Sequence, residues 1–365
     1  MIEYTKEQLC LIWLDSFLGL EYKHKARIME LAPNCRSILE LLDVSKEYII
    51  SEVGENEYRT LKASANKEYL QFILGEYQKK GVKLITLGAN DYPTQLENIA
   101  CPPIVIYYKG DKELFNSELF GIVGSRKSLP LSINLAQNYT KELISVGFVP
   151  VTGIAEGVDC SVLTAALENG GKAISVIAGG FDNIYPKVHT EIIDKVAENG
   201  LVISEYPPQT VPKPYHFPVR NRVIAGLSKG VLVVSGGIKS GTNYTAEYAE
   251  EFGRDLFAIP YSVGVASGAG CNELIKKGAI LTDSPKDILD FYGKEVKVDT
   301  ASNLSDEEKL IIKNLSSGEM HVEKLCAALN KRVFEITPIL SVLEIKGLIV
   351  KSGNVYGLTR NDLEE

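Results

Sequence analysis

The chain lacks the side-chain groupings that announce redox or metal chemistry. Its six cysteines, Cys10, Cys35, Cys101, Cys160, Cys271 and Cys326, are scattered and form no CxxC pair. They read as buried or incidental thiols in a reducing compartment. His24, His189, His216 and His321 are equally dispersed. No metal constellation appears, and neither a metal nor a cofactor is expected. No apolar run approaches a membrane span, and the first residues, Glu3 and Glu7 among them, show no basic n-region followed by an apolar h-region. The expectation is a cytoplasmic protein without membrane contact. Net positive charge is missing too: 39 Lys+Arg against 47 Asp+Glu leave −8. That excludes a protein that coats DNA indiscriminately through phosphate neutralisation.

Charge is distributed in a telling way. Residues 1–65 carry 8 basic and 11 acidic side chains, 66–115 carry 6 and 6, 116–295 carry 16 and 19, and 296–365 carry 9 and 11. No region is basic as a whole. Yet between residues 206 and 246 there is no acid at all, while Lys213, Arg220, Arg222, Lys229 and Lys239 give +5. An acidic protein with one such window points to a local anion site.

At 365 residues the chain exceeds one ordinary core, and about 150 residues per domain sets an expectation of two or three domains. In residues 1–65, Leu9, Ile12, Trp13, Phe17 and Leu20 recur at helical spacing. They predict a small helical domain of the SAM or helix-hairpin-helix kind, read first as a packing module. Residues 66–115 form a bridging extension to the sheet, with a helix around 69–80 and strands at 83–86 and 104–108. From 116 to 295 apolar runs at 119–123, 148–152, 173–177, 201–204, 230–234, 256–259 and 279–281 alternate with helical patterns at 131–146, 157–169, 187–198, 242–252 and 271–277. Short apolar strands separated by helices predict an α/β domain, a doubly wound, Rossmann-like parallel sheet covered on both faces. A polar linker is expected at 296–304. The remainder, 305–365, reads as three helices and a hairpin turned by Ser352-Gly353-Asn354, a winged helix whose acidic balance favours partner contact beside nucleic-acid binding.

In a doubly wound sheet the ligand sits beyond the carboxyl ends of the strands, where helix N-termini offer N–H groups. Gly124-Ser125-Arg126-Lys127 follows the first strand of the domain with a close-approach glycine, a hydroxyl and a phosphate fork. Gly153 opens Gly153-Ile154-Ala155-Glu156-Gly157-Val158-Asp159, in which Asp159 is equally a helix cap or a site residue. Ala178-Gly179-Gly180 leads to Pro186 and reads as fold maintenance. His216-Phe217-Pro218-Val219-Arg220-Asn221-Arg222 places two arginines in the acid-free window. They suit an anion, or internal salt bridges to distant carboxylates. Ser235-Gly236-Gly237-Ile238-Lys239-Ser240-Gly241-Thr242 has a phosphate-cradle composition without Walker A spacing, so ATP hydrolysis has no support. Gly268-Ala269-Gly270-Cys271-Asn272 enters another short helix. No catalytic residue is assigned. The candidate DNA- or phosphate-binding set is Gly124, Ser125, Arg126, Lys127, Gly153, Lys213, Arg220, Asn221, Arg222, Lys239, Ser240, Gly241, Thr242 and Asn272.

These runs, together with Asp91-Tyr92-Pro93, Gly180-Phe181-Asp182-Asn183-Ile184-Tyr185-Pro186 and Ser204-Glu205-Tyr206-Pro207-Pro208, resemble the DprA/Smf family over about residues 91–282. The resemblance implies a recombination mediator of natural transformation. Such a protein binds and shields incoming single-stranded DNA, loads the RecA recombinase, and works as a homodimer through the Rossmann-like domain. Departures from the family pattern are Leu163 where His is frequent, His189 for Asn, Gln209 for Gly, Ser235 for an acid and Tyr261 for Gly. Two rivals remain. One is a nucleotide phosphoribohydrolase of the lysine-decarboxylase-like (LOG) kind, whose catalytic Glu position here holds Tyr244, with Glu247 a turn further on. The other is a nucleotide-sensing module.

Overall fold

The computed structural model describes residues 4–33, 37–295, 305–316, 318–345 and 348–358. The expected linker at 296–304 lies outside them. The chain forms two compact units, Met1–Val296 and Lys297–Glu365.

The first unit begins with helices α1 (Lys6–Ser16), α2 (Tyr22–Leu31), α3 (Ile38–Val53), α4 (Glu55–Ser64) and α5 (Lys67–Lys79). A capping box starts α1: the Thr5 hydroxyl accepts from the Gln8 N–H at 3.3 Å, and the Gln8 side chain accepts from the Thr5 N–H at 2.8 Å. Trp13 is buried, and its Nε1 donates to the Ser64 carbonyl at 3.1 Å, which ties α1 to the end of α4. The helices do not close a core of their own. Ile12, Trp13, Leu41, Leu61 and Ile73 pack in one cluster with Leu84, Val105 and Tyr107 of the first two strands.

Nine strands follow: β1 (Lys83–Thr86), β2 (Val105–Gly110), β3 (Glu118–Val123), β4 (Phe148–Thr152), β5 (Ile174–Ile177), β6 (Leu201–Ser204), β7 (Gly230–Val233), β8 (Asp255–Ala258) and β9 (Ile280–Leu281). The helices among them are α6 (Thr94–Glu97), α7 (Pro130–Ser145), α8 (Val158–Glu168), α9 (Thr190–Asn199), α10 (His216–Leu227), α11 (Thr242–Glu251), α12 (Ala269–Lys276) and α13 (Pro285–Phe291). All nine strands form one sheet in the order β1-β2-β6-β5-β4-β3-β7-β8-β9. Strands β3 to β9 are parallel, whereas β2 runs antiparallel to both β6 and β1. The bridging segment thus extends the sheet as an antiparallel margin.

Side-chain alternation explains why helices cover both faces. Leu119, Val123, Val151, Val231 and Val233 turn to one face and meet Val223, Ile224 and Leu227 of α10 and Ala246 and Ala249 of α11. Phe120, Ile122, Leu232 and Phe257 turn to the other, against Ala136, Tyr139 and Leu143 of α7, Val162 of α8 and Ile288 of α13. The seven strands expected from 116 to 295 are all present. The run around Arg220 is different: no helical pattern is expected there, and the structure makes it α10.

The second unit holds α14 (Asp306–Leu315), β10 (Met320–His321), α15 (Val322–Leu329), α16 (Val333–Ile345), β11 (Ile349–Ser352) and β12 (Val355–Leu358). Its strands pair antiparallel in the order β10-β12-β11. Ile311, Leu315, Leu325, Leu340, Leu343 and Tyr356 form a small core of its own. No helix among the described residues is long and apolar enough to cross a membrane.

Candidate nucleic-acid interface

From β3 the chain builds outward through β4, β5 and β6, while β7, β8 and β9 build the opposite way. The connections after β3 and β7 therefore diverge, and a crevice opens between them. It encloses about 480 Å³ and is lined by the turn after β3, by α10 and by the entry to α11.

The turn after β3 is held open by its own hydrogen bonds. The Ser125 N–H donates to the Ser235 hydroxyl at 3.2 Å, the Lys127 N–H donates to the Ser125 hydroxyl at 3.2 Å, and the Ser128 hydroxyl donates to the Ser125 carbonyl at 2.6 Å. Ser235, which stands in place of an acid, supplies a neutral acceptor and leaves no negative charge at this edge. Gly124 is required by close approach, because a Cβ there would overlap Val158 of α8. Arg126 is exposed, and its guanidinium lies 4.7 Å from the centre of the Phe217 ring.

Across the crevice, Asn221 of α10 donates to the Gly241 carbonyl at 3.2 Å and pins the loop that enters α11. Thr242 donates to the Ser240 hydroxyl at 2.8 Å. Gly241 is the N-cap, the Ser240 hydroxyl accepts from the Thr242 N–H at 3.4 Å, and the start of α11, the positive end of its dipole, lines the cavity. Among the described residues Arg126, Lys127, Lys213 and Lys239 form no ion pair. All four are exposed.

The two arginines of α10 behave otherwise. Two residues along a helix is a rotation of about 200°, so Arg220 and Arg222 leave opposite sides. Arg220 is 5% exposed and forms the floor of the crevice. It donates to the Val176 carbonyl and to Asn221 Oδ1 at 3.1 Å, and it lies 4.0 Å from the buried Asp159. Asp159 also accepts from the Ala155 N–H at 3.2 Å. Burial raises the Asp159 pKa, with the charge of Arg220 opposing that shift; burial likewise lowers that of Arg220. Gly153 lies beneath this floor, where a Cβ would collide with both Arg220 and Asp159. Its part is to make room for the pair.

Arg222 is 2% exposed and donates to Glu205, beneath the ring of Tyr22 at 4.9 Å. Burial raises the Glu205 pKa, and Arg222 pulls it back. The expectation that Arg222 joins the phosphate set is corrected: its guanidinium is spent on an internal ion pair away from the crevice. Two further positions differ. Asn272 accepts from the Tyr261 N–H at 3.0 Å and donates to the Tyr261 carbonyl at 2.9 Å, in a separate depression. Lys213 stands outside the crevice, 5.7 Å from the Tyr215 ring. The structure brings together Gly124, Ser125, Arg126, Lys127, Arg220, Asn221, Ser240, Gly241 and Thr242, with Lys239 exposed on the loop before Ser240.

The other departures lie off the crevice. Leu163 is core, His189 Nδ1 lies 2.9 Å from the Ile154 carbonyl, the Gln209 carbonyl accepts from Asn183 at 3.0 Å, and Tyr261 donates to the Val234 carbonyl at 2.8 Å. What sequence reasoning missed is the partner of each buried arginine. For Glu205 a signal existed: it is the last acid before the acid-free window.

Fold and site define an α/β protein that presents exposed cations without carboxylate partners, beside the start of a helix, at the carboxyl edge of a parallel sheet, an arrangement suited to anions. A model of the family described as DNA recombination-mediator protein A matches residues 83–293. The chain is 39% identical over 238 residues to DNA processing protein DprA of Bacillus subtilis (strain 168), covering 63% of this chain and 80% of the relative. It is 35% identical over 260 residues to DNA processing protein DprA of Streptococcus pneumoniae, covering 70% and 92%. The X-ray structure of DprA from Streptococcus pneumoniae superposes with a TM-score of 0.67 at 32% identity, over 80% of this chain and 98% of that one. A structure of DNA processing protein A from Helicobacter pylori, which concerns its single-stranded DNA binding mode, gives 0.53 at 29% identity, over 57% and 95%. The chain belongs to the DprA/Smf family of DNA-processing proteins.

Proposed function

We propose that this protein is a single-stranded DNA-binding recombination mediator, which protects incoming DNA and loads RecA during natural transformation. The observation that carries the reading is the crevice at the β3/β7 reversal. There Arg126 and Lys127, unpaired and exposed, face the N-terminus of α11 across a cavity floored by Arg220. Cations and backbone donors track phosphates without reading sequence, and Phe217 beneath Arg126 offers a stacking surface. The Helicobacter pylori relative, whose structure concerns single-stranded DNA binding, supports the same reading.

In this reading residues 116–295 are the Rossmann-like DNA-binding domain, 1–65 a helical support and 66–115 the bridge. The 296–304 linker leads to a winged helix at 305–365 whose acidic balance suits contact with proteins. The protein works as a cytoplasmic homodimer. In this reading it acts without catalysis; Asp159, the acid that lines the crevice among the described residues, is buried against Arg220, and Tyr244 stands where a glycosidic hydrolase would need its carboxylate. Gel shift of single- and double-stranded DNA across a salt series tests the proposal. Preferential binding of single strands that weakens with salt is expected; equal binding of duplex, or release of base from nucleoside monophosphates, overturns it.

A further inference from the structure

The loop from β5 to α9, residues 178–189, lies along the same carboxyl edge of the sheet as the crevice. It is fastened along its length. The Gly180 N–H donates to the Thr210 carbonyl at 2.9 Å, the Asp182 N–H to the Pro208 carbonyl at 2.9 Å, and the Asn183 side chain to the Gln209 carbonyl at 3.0 Å. At its end His189 sits against the Ile154 carbonyl. Ile184 packs inward on the cluster of Ile154, Leu163 and Ile177. Its neighbour Tyr185 turns outward and is 56% exposed. A ring held in water by a fastened backbone is positioned in advance, so a ligand that meets it loses little to ordering the loop.

The place of that ring decides what it meets. Tyr185 touches Phe217 edge-on, with ring centres 5.9 Å apart and planes at 72°. Phe217 lines the crevice and carries the Arg126 guanidinium at 4.7 Å. Arg126, Phe217 and Tyr185 therefore form one continuous row, which begins at the phosphate site and ends on an exposed ring. Local charge does not oppose a strand there. Asp182 is paired with Lys80, while Lys187, two residues beyond Tyr185, is exposed and forms no ion pair among the described residues. The smaller cavity behind α10, about 220 Å³ between the end of α1, the start of α2 and the stretch from Glu205 to His216, offers no such surface. Lys25 there lies 2.9 Å from Asp15, Glu205 is paired with Arg222 behind it, and Tyr206 and His216 stack on each other with ring centres 4.2 Å apart.

We propose that Tyr185 is the platform on which a base of the bound strand stacks, beside the nucleotide whose phosphate the crevice holds. The inference rests on the single-stranded DNA reading and adds to it where a base goes. Every base has a ring face, so the contact fits binding without sequence preference. It also separates single strands from duplex, whose bases are already stacked on one another.

The test is equilibrium binding of oligo-dT to the full chain, beside an abasic strand of the same length that keeps every phosphate. Tyr185→Ala is expected to weaken oligo-dT binding about tenfold with Tm and salt slope unchanged, and to narrow the gap between the two strands; Tyr185→Phe restores the wild-type values. Tyr185→Trp supplies a direct signal, because the native Trp13 is 1% exposed and lies in the helical core. Oligo-dT quenches the new indole and the abasic strand does not. A Tyr185→Ala protein that binds both strands as the wild type does, or an indole that oligo-dT leaves unquenched, overturns the inference and leaves the phosphate crevice standing. Weaker binding with a reduced salt slope overturns it too, since the ring then only props Phe217 beneath Arg126. Failure of the wild type to bind oligo-dT overturns the DNA-binding reading itself.

Discussion

The crevice above the β3/β7 reversal and the cavity behind α10 are built in part from the same stretch, yet they use charge in opposite ways. In the crevice Arg126 and Lys127 stand exposed without carboxylate partners, and only the floor, Arg220, is neutralised by Asp159. In the cavity each deep cation has its acid within contact. Arg220 and Arg222 are separated by a single residue, and the helical turn alone sends one to each region. Charge density along a sequence is therefore not charge density on a surface. Of the five positive side chains in the acid-free window, Arg222 is internal, and Lys229 pairs with Glu118 at 3.3 Å.

The comparison breaks most visibly at Arg222. Replacing it with alanine leaves Glu205 buried without its cation, and the protein loses about 3–5 kcal/mol of stability, read as a fall in Tm or in the urea midpoint. A double change of Arg222 and Glu205 to apolar residues of similar volume recovers most of that loss. Arg126→Ala gives the complementary result. Its side chain is exposed, so Tm stays put, while affinity for oligo-dT drops about tenfold and the salt slope shrinks by about 0.7. Lys127→Ala and Lys239→Ala each remove a similar increment of salt slope but cost only about two- to threefold in affinity, because a flexible ammonium holds a phosphate less firmly than a guanidinium fork.

The smallest effect concerns pH. His216 is buried against Tyr206, and burial lowers its pKa from the ordinary 6.5. The unfolded chain takes up that proton first, so the stability contributed by the neutral ring is present above pH 6.5 and is lost as pH falls through the lower folded value. A shallow decline of Tm below neutrality that His216→Phe flattens is the expected outcome; an unchanged profile in that variant removes His216 from the account.

Much of this architecture was legible in the sequence because its strands are short apolar runs bounded by glycine and polar residues, from β3 through β9. The helix α10 was not. His216-Phe217-Pro218 reads as a turn, but Pro218 sits in the first turn of the helix, where a missing N–H costs nothing and a fixed φ is suitable. The helix α13 escaped notice despite a signal: Ser284 and Asp287 form a capping box around Pro285. At the site, the glycines and hydroxyls of the strand-end turns are the residues that line the crevice, since local backbone chemistry is written locally. Ion pairs are not. Arg222 finds Glu205, the last acid before the acid-free window, across 17 positions, whereas Arg220 finds Asp159 across 61, and nothing in the spacing announces that second partner.

The central claim is that the crevice holds the phosphates of a single strand. Titration with oligo-dT of ordinary backbone, beside the same sequence with neutral methylphosphonate linkages, tests it most directly. At low salt the neutral strand is expected to bind about a hundredfold more weakly, and Arg126→Ala to narrow that gap. Equal affinity for the two backbones would contradict the account.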